Sequence, residues 1–299
     1  MAKLHGPSLA PKAGGPPRQL VVLLHGYGAG GGAQNLYLGL SNQTTFEQFI
    51  LLIPNGTTDS AGNAFWNSDP SRSSEDVDDV AYLRGLIEEA QANYRIDPRR
   101  VYLFGHSNGG FMSHRMACDA PDVIAAIVSL AGSTHLLPAD CDTDTPVSML
   151  QIHGTADDVI LYDGIEGPQD IFPAGYPSAA ETTRRSAERA GCDLDAAEAG
   201  PDLDLDTSLD GAETSVLEYH AGCARGIDTQ PQRAAITVEA GEREPVGFGE
   251  RRGNLIARGE QCLVAGERPR GDRGARGRER HGLLLRRHDR QGTVETQLR

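Results

Sequence analysis

The sequence predicts an α/β fold, in which helices cover both faces of a mainly parallel sheet. Three apolar runs indicate buried strands, at residues 20–24, 101–104 and 147–152. Continuous apolar runs of this length are typical of strands that are buried on both faces. Helix-like segments lie between them, and strands that alternate with helices favour a parallel sheet. A chain of 299 residues is long enough for one sizeable core of this kind.

The first apolar run opens into a glycine-rich loop. It continues into His25-Gly26-Tyr27-Gly28 and a cluster of glycines. Glycine lets another backbone approach closely, because it has no Cβ. The loop is therefore either a flexible turn or a segment whose backbone N–H groups face a site.

Two amphipathic helices are expected between the strands. The first has an apolar stripe at steps of three and four residues, with Ser73 and Asp76 as a candidate capping box. The second begins at Ser178, where Glu181 completes a capping box, and ends at Gly191. The stripe of the first helix consists of Val80, Leu83, Ile87, Ala90 and Tyr94.

A serine stands at the apex of a strand, turn and helix. The motif Gly105-His106-Ser107-Asn108-Gly109 lies directly between the apolar run 101–104 and the helix-like segment 110–118. This layout is the nucleophile elbow of hydrolases, in which the turn lifts the serine clear of the sheet. Glycine is frequent here, at 36 of 299 residues, so the neighbouring strand and helix are what give the motif its weight. Ser107 is therefore the candidate nucleophile.

Backbone N–H groups near this serine are candidates for an oxyanion hole. In hydrolases of this layout, one donor is the residue after the nucleophile, here Asn108. The loop after the first strand supplies the second donor, here Gly26 or Tyr27.

A carboxylate follows the third apolar run. The motif 153–158 reads His-Gly-Thr-Ala-Asp-Asp. An acid at a strand end downstream of the serine fits the chain order Ser, Asp, His of elbow hydrolases. Both Asp157 and Asp158 are candidates for this acid.

Together these motifs resemble the polyhydroxybutyrate depolymerase type of esterase, a group that also includes feruloyl and acetylxylan esterases. The resemblance runs in order from about Leu20 to Cys223. It is carried by residues 20–28, Pro54-Asn55-Gly56-Thr57, Phe65-Trp66-Asn67, Asp76-Val77-Asp78-Asp79-Val80, residues 105–112 and residues 153–157.

The resemblance implies an α/β-hydrolase fold that acts on small or polymeric carboxylic esters of the polyhydroxyalkanoate, feruloyl or acetyl-xylan type, with no cofactor. It implies Ser107 as nucleophile, and Asp157 rather than Asp158 as triad acid, because the family's aspartate follows the Gly-Thr-x step directly. Trp66 matches a family position near the substrate, and a place in the core is an equal alternative. The family is mostly secreted, so an extracellular location is expected by resemblance.

Composition and charge limit the kinds of molecule that the protein is expected to bind. The formal net charge of −14 argues against nucleic acid or an anionic membrane as a partner. The apolar runs are too short to span a bilayer. Residues 1–18 are rich in Pro and Gly and contain no apolar stretch typical of a signal peptide, so a cytoplasmic location stays open. We expect these 18 residues to be flexible and the protein to be a monomer.

The five cysteines lack a Cys-x-x-Cys pair, and their spacing fits no zinc pattern. In an oxidising compartment we expect the bridges Cys118–Cys141 and Cys192–Cys223, with Cys262 left over. A reducing compartment would keep five thiols. An acidic stretch at 202–213 partly matches a calcium loop, but Thr207 replaces the required glycine, so we interpret it as a solvated surface loop and expect no metal.

The sequence does not identify the histidine that would complete a catalytic triad. In the resembled family it follows the last core strand, in a glycine-rich turn. The local counterpart, residues 236–245, has Arg243 at that point, and arginine cannot act as a general base. Beyond the acid, the sequence contains His220, His281 and His288. The first lies too early by family position and is interpreted as a surface residue.

The chain changes character near residue 225. Residues 1–224 carry a net charge of −19, whereas residues 225–299 carry 16 basic and 11 acidic side chains, net +5. We predict a catalytic domain at 19–245, incomplete at its C-terminal end, and a disordered Arg/Gly-rich tail at 246–299. The tail is either a basic segment that binds polyanions or, as we favour, the product of a shifted reading frame.

Three functions therefore stay open. The first is an active serine ester hydrolase. The second is a catalytically impaired or truncated relative that binds esters but lacks the triad histidine. The third is an interaction protein that uses its basic tail.

Overall fold

The computed structural model describes residues 2–6, 16–69, 77–167, 174–205 and 211–223, and the backbone of two strands at 235–240 and 296–298. The strands in these residues are β1 (Ala2–His5), β2 (Arg18–Leu24), β3 (Ile50–Ile53), β4 (Thr57–Thr58), β5 (Ala64–Phe65), β6 (Ile96–His106), β7 (Ala126–Leu130), β8 (Ser148–Gly154), β9 (Gly164–Glu166), β10 (Gly175–Pro177), β11 (Glu198–Ala199), β12 (Thr214–Tyr219), β13 (Ala235–Ala240) and β14 (Thr296–Leu298). The helices are α1 (Gly31–Leu38), α2 (Thr44–Glu47), α3 (Asp79–Asn93), α4 (Asn108–Asp119) and α5 (Ala179–Arg189).

Ten of these strands form one sheet, in the order β11-β12-β13-β8-β7-β6-β2-β3-β1-β14. The six strands from β13 to β3 are parallel to one another, and antiparallel strands flank this group on both sides. The carboxyl ends of β2, β6 and β8 therefore meet at one edge of the sheet, where ligands bind in sheets of this type. The predicted α/β fold, with a mainly parallel sheet, is confirmed.

The core consists of two layers, one on each face of the sheet. Successive residues of a strand point to opposite faces, and β2 supplies both layers. Leu20, Val22 and Leu24 pack with apolar residues of α3 and α4, whereas Val21 and Leu23 pack with residues of α1 and β3. Because both faces of the strand are apolar, β2 reads as a continuous apolar run in the sequence.

The two predicted helices are confirmed, with one change at a helix start. In α3, Leu83, Ile87 and Ala90 are buried, and the cap is Asp78, whose Oδ1 accepts the N–H of Ala81 at 2.9 Å. The candidate cap residues 73 and 76 lie outside the described residues. α5 starts as predicted, since Ser178 Oγ accepts the N–H of Glu181 at 3.0 Å.

β1 lies within the predicted flexible N-terminal segment. It pairs antiparallel with β3, and its residues Ala2 and Leu4 are 2% and 0% exposed. Four residues are too few for the alternation of apolar and polar side chains to be visible in the sequence. β14 lies within the predicted Arg/Gly-rich tail and pairs with β1. The rest of the tail lies outside the described residues.

Both predicted disulfides are present. Cys118 in α4 is bonded to Cys141, and Cys192, just after α5, is bonded to Cys223. The fifth cysteine, Cys262, lies outside the described residues. No helix in the described part of the chain has both the length and the apolar character to cross a membrane.

Candidate active site

Ser107 lies at the sharp turn between β6 and α4. Its backbone angles are φ 54° and ψ −121°, a conformation that residues with a Cβ rarely adopt. Its N–H donates to the Leu130 carbonyl at 2.8 Å, which ties the turn to the end of β7. Strained backbone of this kind persists where its surroundings hold it, and it clusters at functional sites. The predicted elbow geometry is therefore present at the predicted residue.

Two glycines permit this turn. A Cβ built on Gly105 would lie 2.0 Å from the carbonyl oxygen of Gly109, and a Cβ on Gly109 would lie 2.4 Å from that of Leu24. No side chain fits at these distances. The predicted close approach of strand and helix is confirmed.

The N-terminus of α4 faces the turn. Asn108 is the first residue of the helix, and the first N–H groups of any helix lack partners within it. The Phe111 N–H donates to the Ser107 carbonyl at 3.0 Å. The helix dipole adds positive potential at this end. An oxygen that gains negative charge beside Ser107 would be stabilised there.

The loop after β2 lies against the serine. A Cβ on Gly26 would be 3.5 Å from Ser107 Cβ. The Gly26 N–H already donates to Gln34 Oε1 at 3.2 Å. Of the two predicted donors in this loop, Gly26 thus already has a hydrogen-bond partner. Gln34, which sequence reasoning missed, is buried and also contacts His106 Nδ1 at 3.2 Å.

Asp157 is anchored by the turn that follows β8. Its Oδ1 accepts the N–H groups of Val159 and Ile160, both at 2.9 Å, and its Oδ2 lies 3.8 Å from His153 Nε2. Asp158, by contrast, is exposed. The carboxylate of Asp157 is held in one orientation at the same sheet edge as Ser107, which favours it over Asp158.

A buried hydrogen-bond chain supports the Asp157 loop. His153 Nε2 faces the Ile160 carbonyl at 2.7 Å and must donate, so its Nδ1 accepts from Gln151 Nε2 at 3.3 Å. Gln151 Nε2 also donates to the Gly132 carbonyl at 2.7 Å, and Gln151 Oε1 accepts from His114 Nε2 at 3.1 Å. The acceptor role of Nδ1 requires the His153 ring to be neutral. Burial lowers the pKa of His153, and it lowers the pKa of His114 to about 3.

This chain was missed in the sequence. Its one visible signal is a polar residue, Gln151, inside the otherwise apolar strand β8. A buried amide needs partners for both its donor and its acceptor, so its presence in a core strand indicates a buried polar network.

Trp66 is fully buried in the main core cluster. Its Nε1–H donates to the His25 carbonyl at 3.0 Å. The structure thus favours the core alternative for this residue over direct contact with a substrate.

The chain after β13 leaves the sheet beside Asp157. β13 is parallel to β8, and Ala240 aligns with Gly154. This is where the resembled family has its histidine. Residues 241–295, with Arg243, His281 and His288, lie outside the described residues.

His220 is at the wrong edge of the sheet for a triad base. It follows β12, whose last residue Tyr219 pairs with Ala235 at the start of β13. Five steps along β13, from Ala235 to Ala240, separate that point from the edge with Asp157, about 17 Å at 3.3 Å per residue. His220 Nε2 instead lies 3.6 Å from Glu198 Oε2.

A cleft lies near the predicted nucleophile. It holds about 20 Å³, and Phe111, one helical turn beyond Ser107, contributes to its wall. Thr134 and His135 also line the cleft. Thr134 Oγ1 and His135 Nε2 are buried, and neither has a hydrogen-bond partner among the described residues.

Comparison with known proteins agrees with this geometry. Residues 10–165, just over half of the chain, match the family model described as phospholipase/carboxylesterase. A feruloyl esterase B of Piromyces equi is 35% identical over 118 residues, which cover 38% of this chain and 22% of the relative. A poly(3-hydroxybutyrate) depolymerase of Ralstonia pickettii is 33% identical over 137 residues, 42% of this chain and 28% of the relative. The chain spans about half or less of the length of the curated relatives it matches.

Among solved structures, an acetyl xylan esterase from Aspergillus awamori superimposes with a TM-score of 0.57 at 14% identity. The match covers 81% of this chain and 88% of that protein. At this identity the likeness concerns the fold alone. With the elbow at Ser107, the sheet order and the matching family model taken together, the chain belongs to the phospholipase/carboxylesterase family of α/β-hydrolases.

Proposed function

We propose that the protein hydrolyses carboxylic esters with Ser107 as nucleophile. The serine attacks the acyl carbon, and the N–H groups of Tyr27 and Asn108 stabilise the oxyanion. Asp157 orients the imidazole of a histidine supplied by the chain beyond β13, which takes the serine proton and passes it to the leaving alcohol. Water then hydrolyses the acyl-enzyme, with the same imidazole as base.

The observation that carries this proposal is the backbone of Ser107. A positive φ in a residue with a Cβ costs free energy, on the order of 1–3 kcal/mol. The position of Ser107 at the N-terminus of α4 and beside Gly26 is what nucleophilic attack with oxyanion stabilisation requires.

For the substrate, we propose a small or polymeric ester of the polyhydroxyalkanoate, feruloyl or acetyl-xylan type. The named relatives support this range. Phe111 packs edge-to-face against Tyr176, with ring centroids 5.2 Å apart, and so offers an apolar wall to one part of an ester.

The second candidate is a relative that binds esters but turns them over poorly. Two observations favour it: Arg243 stands at the position expected for the base, and His220 lies at the opposite sheet edge. Lacking its base, such a protein would retain only the catalysis due to binding and the oxyanion hole, about 10³- to 10⁴-fold over water.

An active-site titration separates the two candidates. The protein is mixed with a p-nitrophenyl phosphonate, and nitrophenol release is followed together with the mass of the peptide that contains Ser107. An active hydrolase labels rapidly and stoichiometrically, whereas a protein without its base labels very slowly. Absence of label on Ser107, with label elsewhere, would contradict the serine mechanism itself.

We further propose that the protein works as a monomer in an oxidising, extracellular compartment. Two disulfides in one domain support this location, because disulfides persist in oxidising environments. Thiol titration of the unreduced, unfolded protein from its native host tests it. One reactive thiol, from Cys262, is expected, and five would place the protein in a reducing compartment.

A further inference from the structure

One short segment contacts both loops that would form the oxyanion hole. We call residues 56–68 the clamp; it contains the hairpin of β4 and β5 and the three residues that follow. It lies between the loop after β2 and the start of α4. These two elements leave neighbouring strands of the sheet separately, so the sheet alone does not fix the distance between their N–H groups.

The first contact holds the Tyr27 loop. Tyr27 Oη donates to Asp59 Oδ2 at 2.5 Å and accepts from Asn63 Nδ2 at 3.0 Å. The Gly28 N–H donates to the Ala64 carbonyl at 2.8 Å. The hydrogen bond from Tyr27 lowers the pKa of Asp59, so the carboxylate is ionised near neutral pH. Hydrogen bonds to a charged acceptor are stronger than neutral ones.

The second contact holds Asn108. The Trp66 N–H donates to Asn108 Oδ1 at 2.7 Å, and Asn108 Nδ2 donates back to the Trp66 carbonyl at 3.0 Å and to Ser68 Oγ at 3.2 Å. The Asn108 side chain is 1% exposed. It is therefore fully used in fixing its own backbone, and it does not reach a substrate.

The third contact joins the two. Trp66 Nε1–H donates to the His25 carbonyl, and the Gly56 N–H donates to His25 Nε2 at 2.9 Å. Since Nε2 accepts, the ring proton is on Nδ1 and faces the Gly26 carbonyl at 2.9 Å. Burial lowers the pKa of His25, so the ring stays neutral, as this arrangement requires.

We propose that the clamp sets the spacing of the two oxyanion donors, with the side chains of Tyr27, Asp59, Trp66 and Asn108 as positioning residues. This inference rests on the proposed function. An oxyanion hole stabilises the transition state only when its donors are already placed where the charge develops. The clamp supplies that placement through hydrogen bonds that are buried at Trp66 and Asn108 and partly buried at Tyr27.

Replacement of Tyr27 by Phe tests the first contact. Tyr27→Phe keeps the ring and the backbone N–H but removes both hydrogen bonds to the hairpin. We expect the first-order rate of Ser107 phosphonylation to fall roughly tenfold, less than the 10²- to 10³-fold loss on removal of a whole donor. The concentration of phosphonate that gives half-maximal rate should not change, because the clamp does not contact the ligand.

Tyr94→Phe is the matched control. Tyr94 is buried, and it lies just before β6, at the opposite end of that strand from Ser107. The same chemical change there should leave the labelling rate unaltered. An equal loss in both variants would overturn the positioning role, since it would reflect general softening of the fold.

A double-mutant cycle tests whether Asp59 is the partner through which Tyr27 acts. If Tyr27 acts through Asp59, Tyr27→Phe combined with Asp59→Ala should label no more slowly than Asp59→Ala alone. Independent, multiplying losses would overturn the proposed contact. Trp66→Phe, which keeps a ring but loses the Nε1–H, should slow labelling by a similar factor.

Amide hydrogen exchange separates this inference from the proposed function. If wild-type Ser107 is not labelled at all, the proposed function fails. Amide exchange at residues 25–29 then still tests whether the clamp holds the loop after β2. Tyr27→Phe should speed exchange there roughly tenfold, because a local hydrogen bond has been lost, and Tyr94→Phe should not. Unchanged exchange in Tyr27→Phe would overturn the clamp.

Discussion

The two sides of the candidate site are built in different ways. On the nucleophile side, Ser107, the loop after β2 and the clamp are linked by hydrogen bonds within residues 25–108. On the acid side, Asp157 is held by its own turn and by the buried chain through His153 and Gln151. The base that this side needs would come from the segment after β13.

This difference shows how the site depends on the chain. The candidate nucleophile and oxyanion donors come from loops that directly follow neighbouring strands, and the clamp joins these loops within residues 25–108. The acid side depends on a segment that begins more than 80 residues after Asp157. A change in the segment that follows β13 would therefore leave Ser107 in place and affect the base.

The largest effect is expected from the nucleophile. Ser107→Ala should abolish esterase activity on short p-nitrophenyl esters, by up to about 10⁶-fold in kcat if the triad is complete. Thermal unfolding should change little, because the side chain contributes nucleophilicity rather than packing. Ser215→Ala, an exposed serine on β12, is the control. Undiminished activity in Ser107→Ala would refute the serine mechanism.

The acid comes next. Asp157→Asn should lower kcat by roughly 10⁴ if a working histidine is present, because the imidazole then adopts the wrong tautomer. Asp158→Asn should cost far less, since that side chain is exposed. Steady-state kinetics measure the loss of kcat in the two variants. A larger loss in Asp158→Asn than in Asp157→Asn would assign the acid to Asp158.

The origin of the catalytic base can be tested by translating the gene in another reading frame. If the tail results from a shifted frame, another frame beyond Cys223 should encode a strand and a glycine-rich turn with histidine. A protein carrying that frame should show a kcat up to about 10⁶-fold above the chain described here, because loss of the triad histidine costs about as much as loss of the whole triad. Normal esterase rates in the present chain, lost in His281→Ala or His288→Ala, would show that the tail supplies the base.

The smallest effect concerns the buried chain behind Asp157. Burial lowers the pKa of His114 to about 3 in the folded protein, from an ordinary value of 6.5 for an exposed histidine. The unfolded state therefore binds the proton more readily, and the stability due to the neutral ring is complete above pH 6.5 and is lost as the pH falls towards 3.

For this histidine, the free energy of unfolding should decrease by about 3 kcal/mol between pH 7 and pH 4.5, at 1.36 kcal/mol per pKa unit. His114→Gln keeps a donor for Gln151 but cannot titrate. Urea unfolding of both proteins across this range measures the effect as a difference, in which the carboxylates they share cancel. Parallel pH profiles would show that His114 does not titrate as its burial implies.

Much of the fold and half of the site follow from the sequence. The elbow at Ser107, the loop after β2 and the strand before Asp157 were visible because each joins an apolar run to a turn motif. The first strand β1 was not, since four residues carry too little periodicity and its pairing partner β3 is about 45 residues away. The contribution of Gln34 and Gln151 was also hidden, because an isolated glutamine has no local signature.

What the sequence determined by itself is the class of fold, the residues at the elbow and the order of nucleophile and acid along the chain. These properties depend on local patterns of apolar residues, glycine and turns. Tertiary structure alone decided that Trp66 and Asn108 bind each other and that His220 lies at the far edge. Both depend on pairing between segments remote in the sequence, and strand order and direction are fixed only when the sheet forms.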